Sequence, residues 1–251
     1  MASKESTVTS ANDIKQPAEG SELEEGKEEA QPTPWAWIKA VFKILKPPFA
    51  ESEQLPVEIL PWLYLSDKEN SVEQIDKLCS LGITHVLTTN GRNNDEFKNI
   101  RSQLQNLGIK HYMIRASDKY DYDILGKHWE ECKPIFQKVR NSRPRGKIVV
   151  HCGEGVNRSA FLVAAAMLTL GDDDAGPTND ADNTSNYNNV VDQAERHDAD
   201  KITLLTVVNH LQQKRGKVLT NLAFQKQLCE LAAREGRLGE KPVGYTDDPL
   251  F

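Results

Sequence analysis

Residues 147–170 read KIVVHCGEGVNRSAFLVAAAMLTL, and the fold turns on this stretch. Ile148, Val149 and Val150 form an unbroken β-branched run of the kind that is buried on both faces of a parallel sheet. Residues 159–170 are apolar almost all round, as in a helix surrounded by other elements. Between the two lies a short polar loop with Gly153 and Gly155. A strand that runs through a glycine-containing loop into a helix delivers that loop to the helix N-terminus. Free backbone N–H groups and the positive end of the helix dipole meet there and suit a phosphate or a similar oxyanion. Cys152 enters the loop where the same field favours its thiolate, the nucleophilic form. Arg158 closes it with a planar fork able to hold two oxygens at once.

Taken singly, these residues have plainer explanations. A cysteine after a strand is commonly a small core hydrophobe, and an arginine at a helix start is commonly solvated. The joint pattern is another matter: His-Cys, a Gly three residues after the Cys, and an Arg followed by Ser or Thr arise together from ordinary residue usage in fewer than about one chain in ten thousand of this length.

Outward from the loop, two hydrophobic periods alternate. Residues 57–65 read as a strand pair broken by Pro61, and Ser71 with Gln74 reads as a capping box opening a helix that Gly82 ends. Residues 83–88 and 110–114 are further strands, with a helix over 96–107 between them. Residues 121–140 read mainly as one long helix, and 202–214 and 221–234 as two more. Strands alternating with helices predict an α/β fold with a mainly parallel central sheet flanked by helices.

The 251 residues are 38% hydrophobic and 27% charged, polar for a chain that folds throughout. Residues 1–33 hold eight acidic residues against three lysines and are expected to form a disordered acidic tail. Residues 34–54 are an amphipathic helix and linker. Thr33 and Pro34 open the helix, Pro47 and Pro48 stop it, and Ile38, Val41, Phe42 and Leu45 share a face opposite Lys39, Lys43 and Lys46. The helix is expected to pack on the body of the protein, with a weak membrane-surface contact through 35–46 or a docking role as alternatives. The main domain spans 55–235. It is interrupted at 171–200 by an expected disordered insertion with nine acidic residues against Arg196 alone, and 236–251 form a C-terminal tail.

The net charge of −6 therefore hides a body of +7, since 27 basic and 20 acidic residues lie outside the two acidic segments. Such a body is consistent with an anionic ligand. No apolar run approaches the ~20 residues of a membrane span. Residues 1–20 lack the pattern of a secretory signal, and Cys79, Cys132, Cys152 and Cys229 show neither disulfide-framework nor zinc-ligand spacing. An intracellular, reducing location, cytoplasmic or nuclear, is expected.

The run His-Cys-x5-Arg-Ser at 151–159 resembles the signature of the cysteine-dependent protein phosphatases. Within them the chain is most similar to the dual-specificity phosphatases of the small atypical type, which lack the rhodanese-like kinase-docking domain of larger members. The resemblance spans about 55–235, through EILPWLYLS at 58–66, LGITHVL at 81–87, the loop itself, NLAF at 221–224 and Gln227-Leu228. Ser66 stands where the family usually has Gly, Thr220 where it usually has Pro, and 171–200 have no common counterpart.

The resemblance implies a protein phosphatase acting through a cysteinyl-phosphate. Cys152 would attack phosphorus, and the amides of Gly153, Glu154, Gly155, Val156, Asn157 and Arg158, with the Arg158 side chain, would hold the phosphoryl oxygens. Ser159 would hydrogen-bond the departing thiolate, and His151 would orient the loop and help keep the thiolate charged, with a satisfied buried histidine as its plainer reading and the two compatible. By the same resemblance Asp118, two residues beyond Ala116, is the general acid, with Asp121 and Asp123 as open alternatives. Glu154 is expected to pack within the loop's own hydrogen bonds, and Asn221 to buttress the loop or cap the last helix. Neither metal nor cofactor is implied.

The implied partners are phosphorylated proteins, a protein kinase among the candidates, with no nucleic acid and no defined oligomeric state. Within the superfamily, an RNA 5′-triphosphatase and a phosphoinositide phosphatase are the alternatives. The run Gly-Val-Asn-Arg is similar to loops of the former, whereas the latter carry more basic loops. A non-catalytic phospho-binding module on the same fold is the alternative outside enzymes.

Overall fold

A computed structural model describes residues 33–91, 95–171 and 202–249. The expected acidic tail, but for Thr33, and the expected acidic insertion, but for Gly171, lie outside the described residues. Five strands form one sheet: β1 (Val57–Leu60), β2 (Leu63–Ser66), β3 (His85–Thr88), β4 (Lys110–Met113) and β5 (Ile148–His151), in the order β1-β2-β5-β3-β4. The β1/β2 hairpin turns at Pro61 and is antiparallel, and the other three pairings are parallel. β5, the most apolar strand, thus lies at the centre and feeds the loop.

Alternation along the strands sorts the core into two layers. Leu63, Leu65, Leu87, Ile148 and Val150 face one layer, and Tyr64, Val86 and Val149 face the other. The second layer is covered by α2 (Ile75–Ser80) and α3 (Asp95–Asn106) through Leu78, Phe97, Ile100 and Leu104. The first is covered by α1 (Trp35–Ile44), α4 (Glu130–Asn141), α5 (Arg158–Leu170), α6 (Leu204–Arg215) and α7 (Leu222–Arg234). Every residue of α5 from Ser159 to Leu168 is buried, which is why the stretch shows no polar face.

Two starts differ from the sequence expectation. α2 opens at Ile75 rather than Ser71, because the Ser71 hydroxyl donates to the Asp67 carbonyl and its amide to Lys68 O at 3.3 Å. The would-be capping box is spent on a turn. The long helix over 121–140 begins with a π-helical turn at Leu125–Trp129 ahead of α4, whose Pro134 has no N–H for the preceding turn.

α1 buries Ala36, Ile38, Ala40 and Val41 against α6 and α7. Residues 236–249 lie across it without helix or strand: Trp37 Nε1 donates to Leu238 O at 2.9 Å, and Lys39 Nζ to Thr246 O at 3.3 Å. The apolar stripe that a membrane-surface contact would need is thus turned into the core. Among the described residues no helix is long and apolar enough to cross a membrane.

Ile38→Ala leaves a cavity beneath α1 and is expected to cost about 2–5 kcal/mol, lowering the thermal midpoint by roughly 5–15 °C. Lys43→Ala, on the exposed face, is expected to leave the midpoint within about 1 °C. Scanning fluorimetry of the two variants decides whether the first helix belongs to the core.

Candidate active site

β5 ends at His151 and α5 starts at Arg158, so residues 152–157 must turn sharply and still aim their amides inward. Three loop carbonyls are drawn outward to make this possible. Lys68 N donates to Gly153 O at 3.2 Å, and Leu219 N to Val156 O at 2.7 Å. Arg215 Nη2 donates to Glu154 O at 2.9 Å. The Glu154–Gly155 peptide shows the consequence: its carbonyl faces Arg215 while its N–H donates to Cys152 Sγ at 3.2 Å. Gly155 itself has φ +68°, and a Cβ there would come within 2.6 Å of Ser66 O, so no other residue fits.

Cys152 is 1% exposed. Ser159 Oγ donates to its sulfur at 3.3 Å. Burial works against the thiolate, but the Ser159 hydroxyl and amide, the Arg158 charge and the Val156 amide outweigh it, and the pKa falls below that of an ordinary thiol. The contrast lies within the same core. Burial beside Glu131 pushes the Cys132 thiol up to about 12, and burial raises Cys229 further. One buried cysteine of three is therefore prepared as a nucleophile.

Of the three candidate acids, Asp118 is the one brought to the loop. Its Oδ2 accepts from Asn157 Nδ2 at 3.3 Å and lies 3.7 Å from Arg158 Nε. Asn221 Nδ2 donates to Asp118 Oδ1 at 3.3 Å, while its Oδ1 accepts from Ala223 N at 3.0 Å. Asn221 therefore both caps α7 and buttresses the acid loop. Asp123 is committed elsewhere, accepting from Gly126 N at 2.7 Å at the start of the following helix. Gln227 pins the same loop, accepting from Ile124 N at 2.9 Å and donating to Tyr122 O at 2.9 Å.

One expected role is narrowed and one changes. His151 is a fully buried histidine whose pKa desolvation lowers to about 4, so what it gives the thiolate comes through orientation and not through a charge of its own. Its Nδ1 meets Cys152 O at 3.3 Å, an orienting contact. Glu154 does not pack within the loop: its side chain is exposed and its contact to Arg215 is made by the backbone. Asn157 does more than lend an amide, since its Oδ1 accepts from Asn221 N at 3.0 Å and from Thr220 Oγ1 at 3.2 Å. Among the described residues no group of three or more His, Cys, Asp and Glu side chains could hold a metal.

Arg215, Thr88 and Asn157 were not singled out as supports by the sequence. Arg215 lies 63 residues beyond Cys152 on α6, and only its basic character at a helix end marks it. Thr88 is read as an ordinary strand residue, although its polar side chain at a buried position was the available signal.

No family model matches the chain. Human dual specificity protein phosphatase 26 (Homo sapiens) is 33% identical over 111 residues, 44% of this chain and 50% of that protein. Dual specificity protein phosphatase 2 of Mus musculus is 25% identical over 176 residues, 70% of this chain and 42% of that protein. The chain thus spans about half the length of the curated relatives it matches. Among solved structures, a mouse putative dual specificity phosphatase complexed with zinc tungstate aligns with a TM-score of 0.50 at 16% identity. The alignment covers 78% of this chain and 99% of that one. By sequence and by fold, then, the chain is similar to the dual-specificity phosphatases, as the loop at 151–159 implies.

Ser159→Ala removes a donor to the Cys152 sulfur, so the thiol pKa should rise and alkylation by iodoacetamide should slow by about tenfold at acidic pH. The rates of variant and parent should converge at alkaline pH, where both are thiolate. Superimposable alkylation profiles would remove Ser159 from the thiolate's donor set.

Proposed function

We propose that this chain is a cysteine-dependent protein phosphatase that hydrolyses phosphotyrosine and phosphoserine or phosphothreonine through a cysteinyl-phosphate intermediate. What carries the reading is the convergence of Ser159 Oγ and Gly155 N on Cys152 Sγ, at 3.3 and 3.2 Å, in a loop whose Asn157 and Arg158 hold Asp118. In the first step the thiolate forms an S–P bond as the O–P bond to the substrate breaks, and Asp118 protonates the leaving oxygen. In the second, Asp118 as carboxylate takes a proton from water, the water oxygen bonds to phosphorus, and the S–P bond breaks. Ser159 then donates to the returning thiolate. Arg158 and the inward amides hold the equatorial oxygens throughout, preorganised in a site that water reorganises little. Arg158 Nε is buried and makes no hydrogen bond, its nearest anion being the Asp118 carboxylate at 3.7 Å, which leaves its N–H open to a phosphoryl oxygen.

The exposed Glu154 carboxylate on the loop favours a singly phosphorylated protein side chain over a triphosphate or a polyphosphorylated inositol. A thiolate of this kind is readily oxidised, which supports a reducing compartment, cytoplasmic or nuclear, as part of the same proposal.

Cys152→Ser should abolish release of p-nitrophenol from p-nitrophenyl phosphate; turnover by the variant above a mock purification would end this reading. Asp118→Asn should lower kcat by about 10²-fold on phosphopeptides and far less on activated aryl phosphates, whose leaving groups need no proton. Should Asp121→Asn or Asp123→Asn show that dependence instead, the acid is misassigned.

A further inference from the structure

Thr88, on β3, is fully buried, yet its hydroxyl bridges two histidines. Its Oγ1 lies 2.7 Å from His151 Nε2 and 2.8 Å from His111 Nε2. The parallel register creates this cluster. Thr88 pairs with His151 across β3 and β5, while His111 on β4 pairs with Val86, two residues back on the same face. Three polar side chains thus meet at one corner of an otherwise apolar layer.

The protons in the cluster have one consistent direction. His151 Nδ1 faces a carbonyl, Cys152 O at 3.3 Å, so it must be the protonated nitrogen. Neutral His151 then offers Nε2 as an acceptor, and the single Thr88 proton goes there. Thr88 Oγ1 can therefore only accept from His111, which makes Nε2 the protonated nitrogen of that ring. The other end agrees: His111 Nδ1 is buried with no partner, tolerable as a lone pair and costly as an N–H. The reverse direction would aim the His151 Nδ1 lone pair at the Cys152 carbonyl and orphan an N–H at His111. Both rings are neutral at physiological pH: burial lowers each pKa to about 4, with Arg101 facing His111, and with His111, Asp67 and Lys68 facing His151.

We propose that Thr88 and His111 are positioning residues, forming a one-way hydrogen-bond chain, His111 to Thr88 to His151 to the Cys152 carbonyl, that sets the His151 tautomer and so fixes the nucleophile's backbone. Thr89 completes the clamp, its amide and hydroxyl donating to His151 O at 2.9 and 3.0 Å. The chain acts through the main chain and touches no substrate. Its importance to turnover rests on Cys152 being the nucleophile, whereas its existence does not.

Two measurements on the full chain test it. Long-range ¹H–¹⁵N NMR of the imidazoles should show His151 as the Nδ1–H tautomer and His111 as the Nε2–H tautomer; the opposite tautomer at either ring overturns the proposal. Thr88→Val keeps the shape and removes the hydroxyl, and should slow iodoacetamide alkylation of Cys152 by about three- to tenfold at acidic pH, with convergence at alkaline pH. Thr88→Ser should restore the parent profile. A valine variant that alkylates like the parent, or a serine variant that fails to rescue while remaining folded, overturns it. Neither measurement depends on phosphatase turnover, so a chain that hydrolyses nothing would refute the proposed function and leave these outcomes readable.

Discussion

A buried thiol drawn below its ordinary pKa is the constraint on which the rest of this structure depends. The charge it carries as a thiolate is stable only where fixed donors replace the solvent it has lost. The donors to Cys152 come from the loop and the first turn of α5, yet they are aimed from elsewhere. Ser66 at the end of β2 closes in on Gly155, Lys68 just beyond β2 bonds the loop at Gly153, α6 holds it through Arg215, and the segment before α7 holds it through Leu219. The surrounding sheet and helices act as a frame for six residues of loop. Glycine at 155 is the point where that frame comes closest.

The acid loop is held by a different principle. It has neither helix nor strand of its own between Arg115 and Ile124, and its shape comes from side chains that other elements reach across to it. Asn221, the N-cap of α7, and Gln227, on its second turn, supply side-chain amides to residues about a hundred positions earlier. Asn157 and Arg158 join it to the phosphate loop. The proposed nucleophile and acid are thereby tied to one another through Arg158, which also serves the phosphoryl group, and through Asn157, Asn221 and Gln227, which take no part in either transfer.

Much of this was legible in the sequence because the strong signals are local. The β-branched run at 148–150 and the all-round apolar helix after it identified the central strand and the buried helix. The spacing of Cys152 and Arg158 identified the loop. Where the reading failed, local and tertiary partners were competing for the same group. Ser71 had the right neighbour for a capping box, but the Asp67 carbonyl took its hydroxyl. Glu154 sat within the loop in sequence, yet its side chain faces out because an inward carboxylate would oppose the anion the amides are arranged to receive. His151 is adjacent to Cys152 in the chain, but only its depth of burial, invisible to spacing, shows that it is uncharged. Thr88 and Arg215 act on the loop from strands and helices distant in sequence, and no periodicity encodes such a contact.

The bond from Trp37 to the Leu238 carbonyl joins residues 201 positions apart, near the two ends of the described chain. Among the described elements α1 precedes all others in the chain, whereas α6, α7 and the segment that crosses it follow the rest. Its apolar face therefore has no native cover until nearly the whole chain is available, and the domain carries a high contact order at its outer layer. Closing so long a loop takes entropy that the later helices must offset together. The earliest of the described helices is thus among the last pieces that can find its place, and a chain cut short before α7 would leave one side of α1 uncovered.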